Sequence, residues 1–306
     1  MSVAVVGAGA MGSLFGALLA EAGEESWLID VWTDHVTAIQ NVGLSVEREG
    51  QTRLVQLQAT TDPASVSNCE LVIVFVKSVH TFAAAKTAAT LAGEKGLVLT
   101  LQNGLGNADQ IAQNVDSRRI VAGTTAYGAT MLGPGKIRHA GIGLTTIGMW
   151  HYHDSHRAHD VANLFANAGI ETQVVADVRR VIWDKLLINV GINAITALTR
   201  IKNGQLLDLT QSIWLSGAAV KEAMAVAVAQ DLPIRQDAVE HVLAVARATS
   251  GNRSSMGQDV DNQRLTEIDA INGAVVREAK RLGIEVPVNR TLTALIETLQ
   301  AHFNEK

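Results

Sequence analysis

The sequence has very little cysteine and very little proline. Cys69 is the single cysteine among 306 residues, and there are four prolines. One thiol cannot form an intramolecular disulfide, so the composition favours a reducing, cytoplasmic environment. Charged residues make up 18% of the chain against 47% hydrophobic residues, and no tract is of low complexity. This balance excludes a disordered, collagenous or coiled-coil protein and predicts a globular one.

The chain also lacks an excess of positive charge. Twenty-five Lys and Arg residues face thirty Asp and Glu residues, which gives a formal net charge of −5. This sign is wrong for a surface that neutralises nucleic-acid phosphates or anionic lipid, so neither partner is expected. Residues 3–20 carry no charge, but their four glycines and the absence of a basic lead argue against a signal peptide or membrane span. No other stretch is expected to be long enough to cross a bilayer.

Histidines are grouped at one place in the sequence. His151, His153, His156 and His159 lie there with Asp154 and Asp160. The tract follows a predicted strand in a polar connection, so a solvated loop and helix start are the favoured interpretation, with adventitious metal binding as the alternative. No grouping has the spacing of a structural metal site, and no metal cofactor is predicted.

The length suggests two domains, and the pattern changes along the chain. In the first part, short apolar runs alternate with helical stretches such as Ser13–Ala22 and Thr81–Ala92. This order is typical of a parallel sheet covered on both faces, that is, an α/β doubly wound fold. The runs predicted as strands are Val3–Val6, Trp27–Val31, Leu71–Val76, Leu97–Leu101, Ile120–Ala126 and Gly143–Trp150.

From about residue 178 the strand patterns give way to long segments with helical spacing. These segments are Ile182–Arg200, Ser212–Gln230, Ala238–Thr249, Glu267–Leu282 and Leu292–Phe303. The sequence therefore predicts a domain of residues 1–178 and an all-helical domain of residues 179–306.

A glycine-rich turn lies directly after the first predicted strand and directly before a helix. Its G-x-G-x-x-G pattern is typical of dinucleotide binding in this context, although glycines in a tight turn remain the alternative. Gly7 would allow the turn, Gly9 a close approach of backbone amides to a pyrophosphate, and Gly12 close packing of helix on strand. The predicted cofactor-binding residues of this turn are Gly7, Ala8, Gly9, Ala10, Met11 and Gly12.

Three further residues follow predicted strands, at the edge where α/β sheets bind ligands. Asp30 stands eighteen residues after Gly12, at the spacing of a carboxylate that accepts hydrogen bonds from the adenosine ribose. It favours NAD over NADP, because the first basic residue of the chain is Arg48. Lys77 and Asn103 follow later strands and are further cofactor candidates, with a solvated loop lysine as the alternative for Lys77.

The helical half carries two polar groupings. Lys185, Asn189 and Asn193 share one face of a mostly apolar helix, as an exposed stripe or as the lining of a ligand site. A second grouping starts at Asn252 and runs through Ser255 to Glu267. There Thr266 is expected to cap the helix that holds Glu267. For Glu267, helix capping or compensation of the helix dipole is the alternative to a functional role.

Together these motifs resemble the ketopantoate reductase (2-dehydropantoate 2-reductase) family from Gly7 to about Pro287. The most specific matches are residues 183–193, Asn203-Gly204 and residues 252–273. The resemblance implies a Rossmann domain, a helical domain like the C-terminal fold of 6-phosphogluconate dehydrogenase, and an active site in the cleft between them. It implies catalytic roles for Lys185, as the lysine that supplies a proton, and for Glu267.

By the same resemblance, further residues are expected to contact the substrate. These are Asn189, Asn193, Asn252, Ser255 and Asn103, with Asn103 and Lys77 near the nicotinamide. Asp30 departs from the family, which commonly has a basic residue there for NADPH. NADH is therefore the expected cofactor, with NADPH as the alternative.

The function implied is the reduction of ketopantoate to D-pantoate, a step in pantothenate biosynthesis. One alternative is an NAD-dependent D-2-hydroxy acid dehydrogenase acting on other branched 2-oxo acids. Another is a dinucleotide-binding regulator, which would have no need of Lys185 as an acid. A small 2-oxo acid is the expected partner, with no nucleic acid and no membrane, and a homodimer remains open.

Overall fold

The computed structural model describes residues 1–151 and 154–303. It divides the chain into two compact units. The first consists of residues 1–102 and 107–178, and the second consists of residues 103–106 and 179–306. A short segment of the first half of the sequence is thus built into the second unit.

Strands occur only before residue 175 among the described residues. In chain order they are β1 (Ser2–Val6), β2 (Glu25–Ile29), β3 (Leu44–Arg48), β4 (Gln51–Val55), β5 (Gln58–Thr60), β6 (Leu71–Val74), β7 (Leu97–Thr100), β8 (Ile120–Thr125), β9 (Gly128–Gly133), β10 (Lys136–Gly141), β11 (Thr145–Met149) and β12 (Thr172–Val174).

Helices occur throughout the described residues. They are α1 (Ala10–Glu21), α2 (Thr33–Val42), α3 (Thr81–Ala92), α4 (Asn107–Ala112), α5 (His156–Asn167), α6 (Val178–Thr199), α7 (Thr210–Val228), α8 (Ala238–Ala248), α9 (Ser255–Asp261), α10 (Asn272–Leu282) and α11 (Pro287–Ala301).

The main sheet of the first unit has the order β12-β11-β8-β7-β6-β1-β2-β5. All neighbouring strands in it are parallel except β8 and β11. β1 lies between β2 and β6, so the strand order changes direction at β1. In such folds, ligands bind at the carboxyl ends of the strands beside this point. Strands β1, β6 and β7 are buried almost throughout, as expected for a sheet covered on both faces.

A smaller sheet, in the order β4-β3-β10-β9, belongs to the same unit. The sequence analysis does not predict it. Its strands are short and carry many polar residues, since β4 buries only Val55 and β10 alternates buried Ile137 and His139 with exposed neighbours. Such strands lack the continuous apolar runs that reveal the main sheet.

The second unit is helical in its described residues, and α7 packs on α8, α10 and α11. Its core takes large apolar side chains from α6, such as Trp183, Leu187 and Ile195. The α/β doubly wound fold followed by a helical fold is confirmed.

Two predictions for the helical half are wrong in detail. The predicted helix Glu267–Leu282 begins only at Asn272, and Glu267 lies in the turns before it. Thr266 consequently caps no helix at Glu267. Its hydroxyl instead donates to Gln300 Oε1 at 2.8 Å and accepts from the Ile268 amide at 3.3 Å. Ile268 and Ile271 are buried in the core of the helical unit although they precede the helix.

The expectation that no further stretch could span a bilayer also needs correction. By length and composition alone, Val178–Thr199 is long and apolar enough, and 61% of its most apolar window is buried inside the protein. A core helix is apolar because it is buried inside the protein, and it therefore also passes a test of length and composition. This helix is weak evidence for a membrane span.

Candidate active site

The glycine-rich turn between β1 and α1 has room for glycine only at two of its three positions. Gly7 has φ +99°, and a Cβ there would lie 2.6 Å from the Val76 amide nitrogen. A Cβ on Gly12 would lie 2.0 Å from the Gly7 carbonyl oxygen. Gly9 differs, because no described atom lies within 4 Å of the position of its Cβ. Gly7 and Gly12 therefore shape the turn, and Gly9 keeps its outer side clear.

The same turn leaves the amino end of α1 without a side-chain cap. Gly9 is the N-cap of α1, no side chain caps the helix, and its first turn contains no acidic residue. The first amides of a helix have no partner within it and carry partial positive charge. This arrangement fits the pyrophosphate of a dinucleotide, and residues 7–12 are the ones that would hold it.

Asp30 follows β2 and reaches back to the glycine-rich turn. Its Oδ2 accepts a hydrogen bond from the Ala8 amide at 2.6 Å, and its Oδ1 accepts one from the Trp32 amide at 2.9 Å. The carboxylate is half-buried, and each of its oxygens has further acceptor capacity. Asp30 can thus brace the turn and accept ribose hydroxyls together.

Lys77 lies beyond the carboxyl end of β6, where it precedes a short 3₁₀ helix, Ser78–His80. It is half-buried, and it belongs to the first unit. Asn103, which the resemblance also places near the nicotinamide, belongs to the second unit instead. The structure therefore assigns the two candidates to different units.

Asn103 is brought to Glu267 by a close backbone contact inside the second unit. The Leu105 amide donates to the Ala270 carbonyl oxygen at 2.8 Å. Gly104 has φ +88°, and a Cβ there would lie 2.3 Å from the same oxygen. At this approach, Asn103 Nδ2 donates to Glu267 Oε2 at 3.0 Å. Glu267 is only 8% exposed, so this bond satisfies part of the demand of a buried carboxylate.

Lys185 lies in α6, and the charge of Glu267 acts on it. Burial lowers the pKa of Lys185 to about 8, while the Glu267 carboxylate opposes the change by raising that pKa. Burial lowers the pKa because the charged ammonium loses its hydration. The nearby carboxylate offsets part of this free-energy cost by stabilising the positive charge. A lysine that gives up its proton near neutral pH suits general acid catalysis.

The two asparagines of α6 lie one and two turns beyond Lys185. Asn193 is 5% exposed, and its Nδ2 donates to Ser255 Oγ over a long 3.4 Å. The Nδ2 of Asn189 is buried and has no hydrogen-bond partner among the described residues. Buried amide donors without partners are rare in proteins, because each costs the free energy of its lost hydration. An unfilled donor here fits a site that binds a carboxylate.

Ser255 is placed by the residue before it. Ser254 caps α9 by accepting from the Gly257 amide at 3.0 Å, and it accepts a bond from Thr196 Oγ1 at 2.7 Å. These bonds tie the start of α9 to α6. Asn252 lies three residues earlier with an exposed side chain, and its backbone carbonyl accepts from the Asn203 amide at 3.0 Å. The structure thus brings Asn193 and Ser255 together and leaves Asn252 on the same loop.

Sequence reasoning missed Ser13 and His35, two buried residues beside the glycine-rich turn. Ser13 Oγ lies 3.0 Å from His35 Nε2 and donates to the Ala8 carbonyl oxygen at 2.8 Å. The available signal was a serine and a histidine on the apolar faces of α1 and α2. This signal did not indicate that Ser13 and His35 are partners, because the two residues are 22 positions apart.

The histidine tract contributes no metal cluster in the part of the chain that is described, and His153 lies outside that part. His151 Nε2 lies 3.8 Å from Asp109, and His156 Nδ1 lies 3.7 Å from Asp160. Both contacts are at exposed side chains.

Comparison with known proteins gives matches over nearly the whole chain. The family model described as Ketopantoate reductase PanE/ApbA matches residues 3–152, and its C-terminal counterpart matches residues 177–300. A 2-dehydropantoate 2-reductase from Halobacterium salinarum is 40% identical, with 98% of this chain and 99% of that protein covered.

Solved structures give the same result. A PanE/ApbA family ketopantoate reductase from Ralstonia eutropha JMP134 is 33% identical with a TM-score of 0.92, and 99% of each chain is covered. A D-mandelate dehydrogenase with NADH and anilino(oxo)acetate is 28% identical with a TM-score of 0.93, covering 99% of this chain and 100% of that one.

Proposed function

The chain belongs to the ketopantoate reductase family, and we propose from this that it reduces 2-dehydropantoate to D-pantoate with a nicotinamide dinucleotide. When bound, the reduced nicotinamide supplies the hydride that adds to the C2 carbonyl carbon. The observation that carries the proposal is the grouping of Lys185, Glu267 and Asn103 in the second unit. An acid, a buried carboxylate and an amide together suit a 2-oxo acid that also carries a hydroxyl group.

Lys185 is the proposed general acid. As hydride adds to carbon, the carbonyl oxygen gains negative charge, which an ammonium stabilises before it transfers its proton. With a pKa of about 8, Lys185 is mostly protonated at neutral pH and still releases the proton readily. The catalytic role is supported by the partly buried position of this lysine and by the field of Glu267.

The substrate carboxylate is the proposed partner of the asparagine and serine groups. Asn189 Nδ2 has no hydrogen-bond partner among the described residues, and the Asn193–Ser255 bond is long enough to yield to a better acceptor. Neutral donors bind a carboxylate without adding a buried charge that would need its own partner. Asn252, whose side chain is exposed on the loop before Ser255, is the further proposed donor.

Glu267 is the proposed partner of the substrate hydroxyl. One of its oxygens accepts from Asn103, which leaves acceptor capacity for an alcohol donor. A substrate without that hydroxyl would leave a buried carboxylate underused, and sites built for a hydroxyl reject such analogues by up to about 10⁴-fold.

The proposed cofactor is NADH rather than NADPH. Asp30 would face the extra 2′-phosphate of NADPH with like charge, and both of its oxygens are already directed by backbone amides of the turn. The first Lys or Arg of the chain is Arg48, so the first 47 residues contain no Lys or Arg that could offset this repulsion.

A second candidate is a D-2-hydroxy acid dehydrogenase that acts on branched or aromatic 2-oxo acids. The similarity to a D-mandelate dehydrogenase bound to NADH favours it, together with Asp30. In this alternative Glu267 serves mainly to tune Lys185.

The deciding experiment compares kcat/KM for ketopantoate with kcat/KM for 2-oxo-3,3-dimethylbutanoate, which keeps the branching and lacks the hydroxymethyl group. The wild type should prefer ketopantoate, and Glu267→Ala should lose that preference. Asp269→Ala is the matched control, because this exposed carboxylate of the same turn pairs with Arg277. Equal or better use of the analogue by the wild type would reject ketopantoate and support the second candidate.

A further inference from the structure

Two fully buried polar residues beside the glycine-rich turn have no part in the reaction proposed above. Ser13 lies in the first turn of α1 and His35 in the first turn of α2, and each is 0% exposed. Burying a hydroxyl and an imidazole costs free energy unless their hydrogen bonds are met. The partners that meet them therefore indicate what these residues hold in place.

The hydrogen bonds form a chain with one direction. The Gly135 amide donates to His35 Nδ1 at 2.9 Å. Because a backbone amide can only donate, Nδ1 must present a lone pair, and the ring proton of the neutral imidazole is on Nε2. Nε2 then donates to Ser13 Oγ at 3.0 Å, and Ser13 Oγ donates to the Ala8 carbonyl oxygen at 2.8 Å.

The far end of this chain is rigid. Gly135 has φ +66° in the turn between β9 and β10, and its Cβ position lies 2.8 Å from Ala38 Cβ of α2. Its carbonyl oxygen accepts from the Ser45 amide of β3 at 2.9 Å. The imidazole thus receives its hydrogen bond from backbone that the smaller sheet and α2 both fix.

The near end of the chain orients one peptide group. The Ala8 amide donates to Asp30 Oδ2 at 2.6 Å, while the Ala8 carbonyl accepts from Ser13. In a planar trans peptide the carbonyl of one residue and the amide of the next point in opposite directions. Holding the Ala8 carbonyl towards buried Ser13 therefore turns the Gly9 amide the other way, and Gly9 is exposed with open space around its Cβ position.

We propose that His35 is a positioning residue for the dinucleotide pyrophosphate, acting through Ser13 to hold the Gly9 amide as an anion donor. This inference rests on the proposed dinucleotide-dependent reduction. The smaller sheet thereby contributes to cofactor binding without touching the cofactor, because Gly135 fixes the tautomer of His35. Protonation of His35 would place a second donor against the Gly135 amide and break the chain.

The surroundings of His35 keep it neutral. Burial lowers its pKa, and the charged group that opposes this effect is Asp30. Trp32 stacks on the ring with centroids 5.2 Å apart, and Ser13 and Gly135 are uncharged. The chain should consequently be intact at neutral pH and fail on acidification.

The first test compares Ser13→Ala with Ser26→Ala by calorimetric titration with NADH and with ADP. Ser26 is the matched control, since it is 3% exposed and its Oγ donates to another α1-region carbonyl, that of Gly16, at 3.0 Å. Loss of one positioning hydrogen bond should raise both Kd values by about 3- to 10-fold in Ser13→Ala. Ser26→Ala should stay within about twofold of the wild type. Equal effects of the two substitutions, or none, would overturn the proposal.

The second test separates positioning from simple support of the fold. The amide of Gln reaches the place of Nε2 and can donate to Ser13, whereas Asn reaches only the place of Nδ1 and can accept from Gly135. His35→Gln should therefore bind NADH more tightly than His35→Asn. The double variant Ser13→Ala with His35→Asn should bind NADH no more weakly than either single variant. The opposite ranking would assign His35 to anchoring the β9–β10 turn only.

The pH dependence gives a third readout. Because burial lowers the pKa of His35, binding of NAD⁺ to the wild type should weaken on acidification, and His35→Gln should lack this acid limb. None of these titrations contains a 2-oxo acid, so they remain decisive if ketopantoate is not the substrate. A wild type that binds neither NADH nor ADP would remove the dinucleotide site itself, and with it this inference and the proposed function.

Discussion

The candidate sites of the two units satisfy their polar side chains in opposite ways. In the first, the polar atoms around the glycine-rich turn are paired inside the protein, as Asp30 accepts from Ala8 and Trp32 and Ser13 donates to Ala8. In the second, Asn189 has a buried donor without a partner among the described residues, and burial makes Lys185 easier to deprotonate. A turn that binds with backbone amides needs its side chains as braces. A group that handles a reacting substrate keeps side-chain capacity unused until the substrate arrives.

The largest expected effect lies in the second unit. Lys185→Ala should lower kcat by about 10²–10⁴-fold, which is the usual value of general acid catalysis, and should leave the Kd for NADH within about threefold. Steady-state kinetics and fluorescence titration measure the two quantities. Lys221→Ala, at an exposed position of α7, controls for the loss of a positive charge. A variant that keeps more than about a tenth of wild-type kcat would remove Lys185 from the mechanism.

In the first unit a side chain that braces the turn should affect binding and not turnover. Asp30→Asn retains one acceptor oxygen and loses the charge, so the Kd for NADH should rise by about 10- to 100-fold while NADPH binding changes less. Parallel titrations with both dinucleotides measure the preference. A wild type that binds NADPH more tightly than NADH at moderate salt would show that Asp30 does not select the ribose.

Gly9 and Gly12 sharpen the contrast within one turn. Gly12→Ala forces a Cβ against the Gly7 carbonyl and should lower the free energy of unfolding by about 1–3 kcal/mol. Gly9→Ala meets no described atom and should change stability by less than about 1 kcal/mol while weakening NADH binding. Chemical denaturation and titration of both variants check this. Similar losses of stability would mean that Gly9 also serves the fold.

The smallest expected effect is a shift in pH dependence. The proposed reduction uses the proton of Lys185, so kcat should be level below a pH of about 8 and fall about tenfold per unit above it. Glu267 raises the pKa of Lys185, and therefore Glu267→Gln should move the midpoint to lower pH, by up to about one unit. Asp269→Ala should leave the midpoint in place. A midpoint that moves upward in Glu267→Gln would contradict the assigned coupling.

How much the sequence could predict follows the same division. The β1–turn–α1 segment is predictable because its strand, glycines and helix are contiguous, and Gly12 meets the Gly7 carbonyl only five residues before it. The helix of Lys185 was predictable from its spacing, although its start at Val178 was placed four residues late, at Ile182. The contact of Asn103 with Glu267 joins residues 164 positions apart, and no local pattern encodes such a pairing.

The end of β2 shows how local polar bonds override propensity. The apolar run predicts a strand through Val31, but the strand stops at Ile29. The Asp30 amide still donates to the Thr60 carbonyl oxygen of β5 at 3.3 Å, while its carboxylate accepts from the Trp32 amide and the Ala8 amide. The bond from the Trp32 amide is local, and the bond from the Ala8 amide is long-range. Both compete with strand pairing, and only the local bond is visible in the sequence.

Residues 103–106, which belong to the second unit, bear on how the chain acquires its structure during synthesis. They leave the ribosome long before residues 179–306, yet the amide of Leu105 has its acceptor at Ala270. A nascent chain that ends near residue 178 contains residues 103–106 and lacks Ala270, the acceptor of Leu105. For the same reason, a gene fragment cut cleanly at residue 179 would encode helices that lack one of their own pieces. A transplant of the helical unit into another protein must carry residues 103–106 with it.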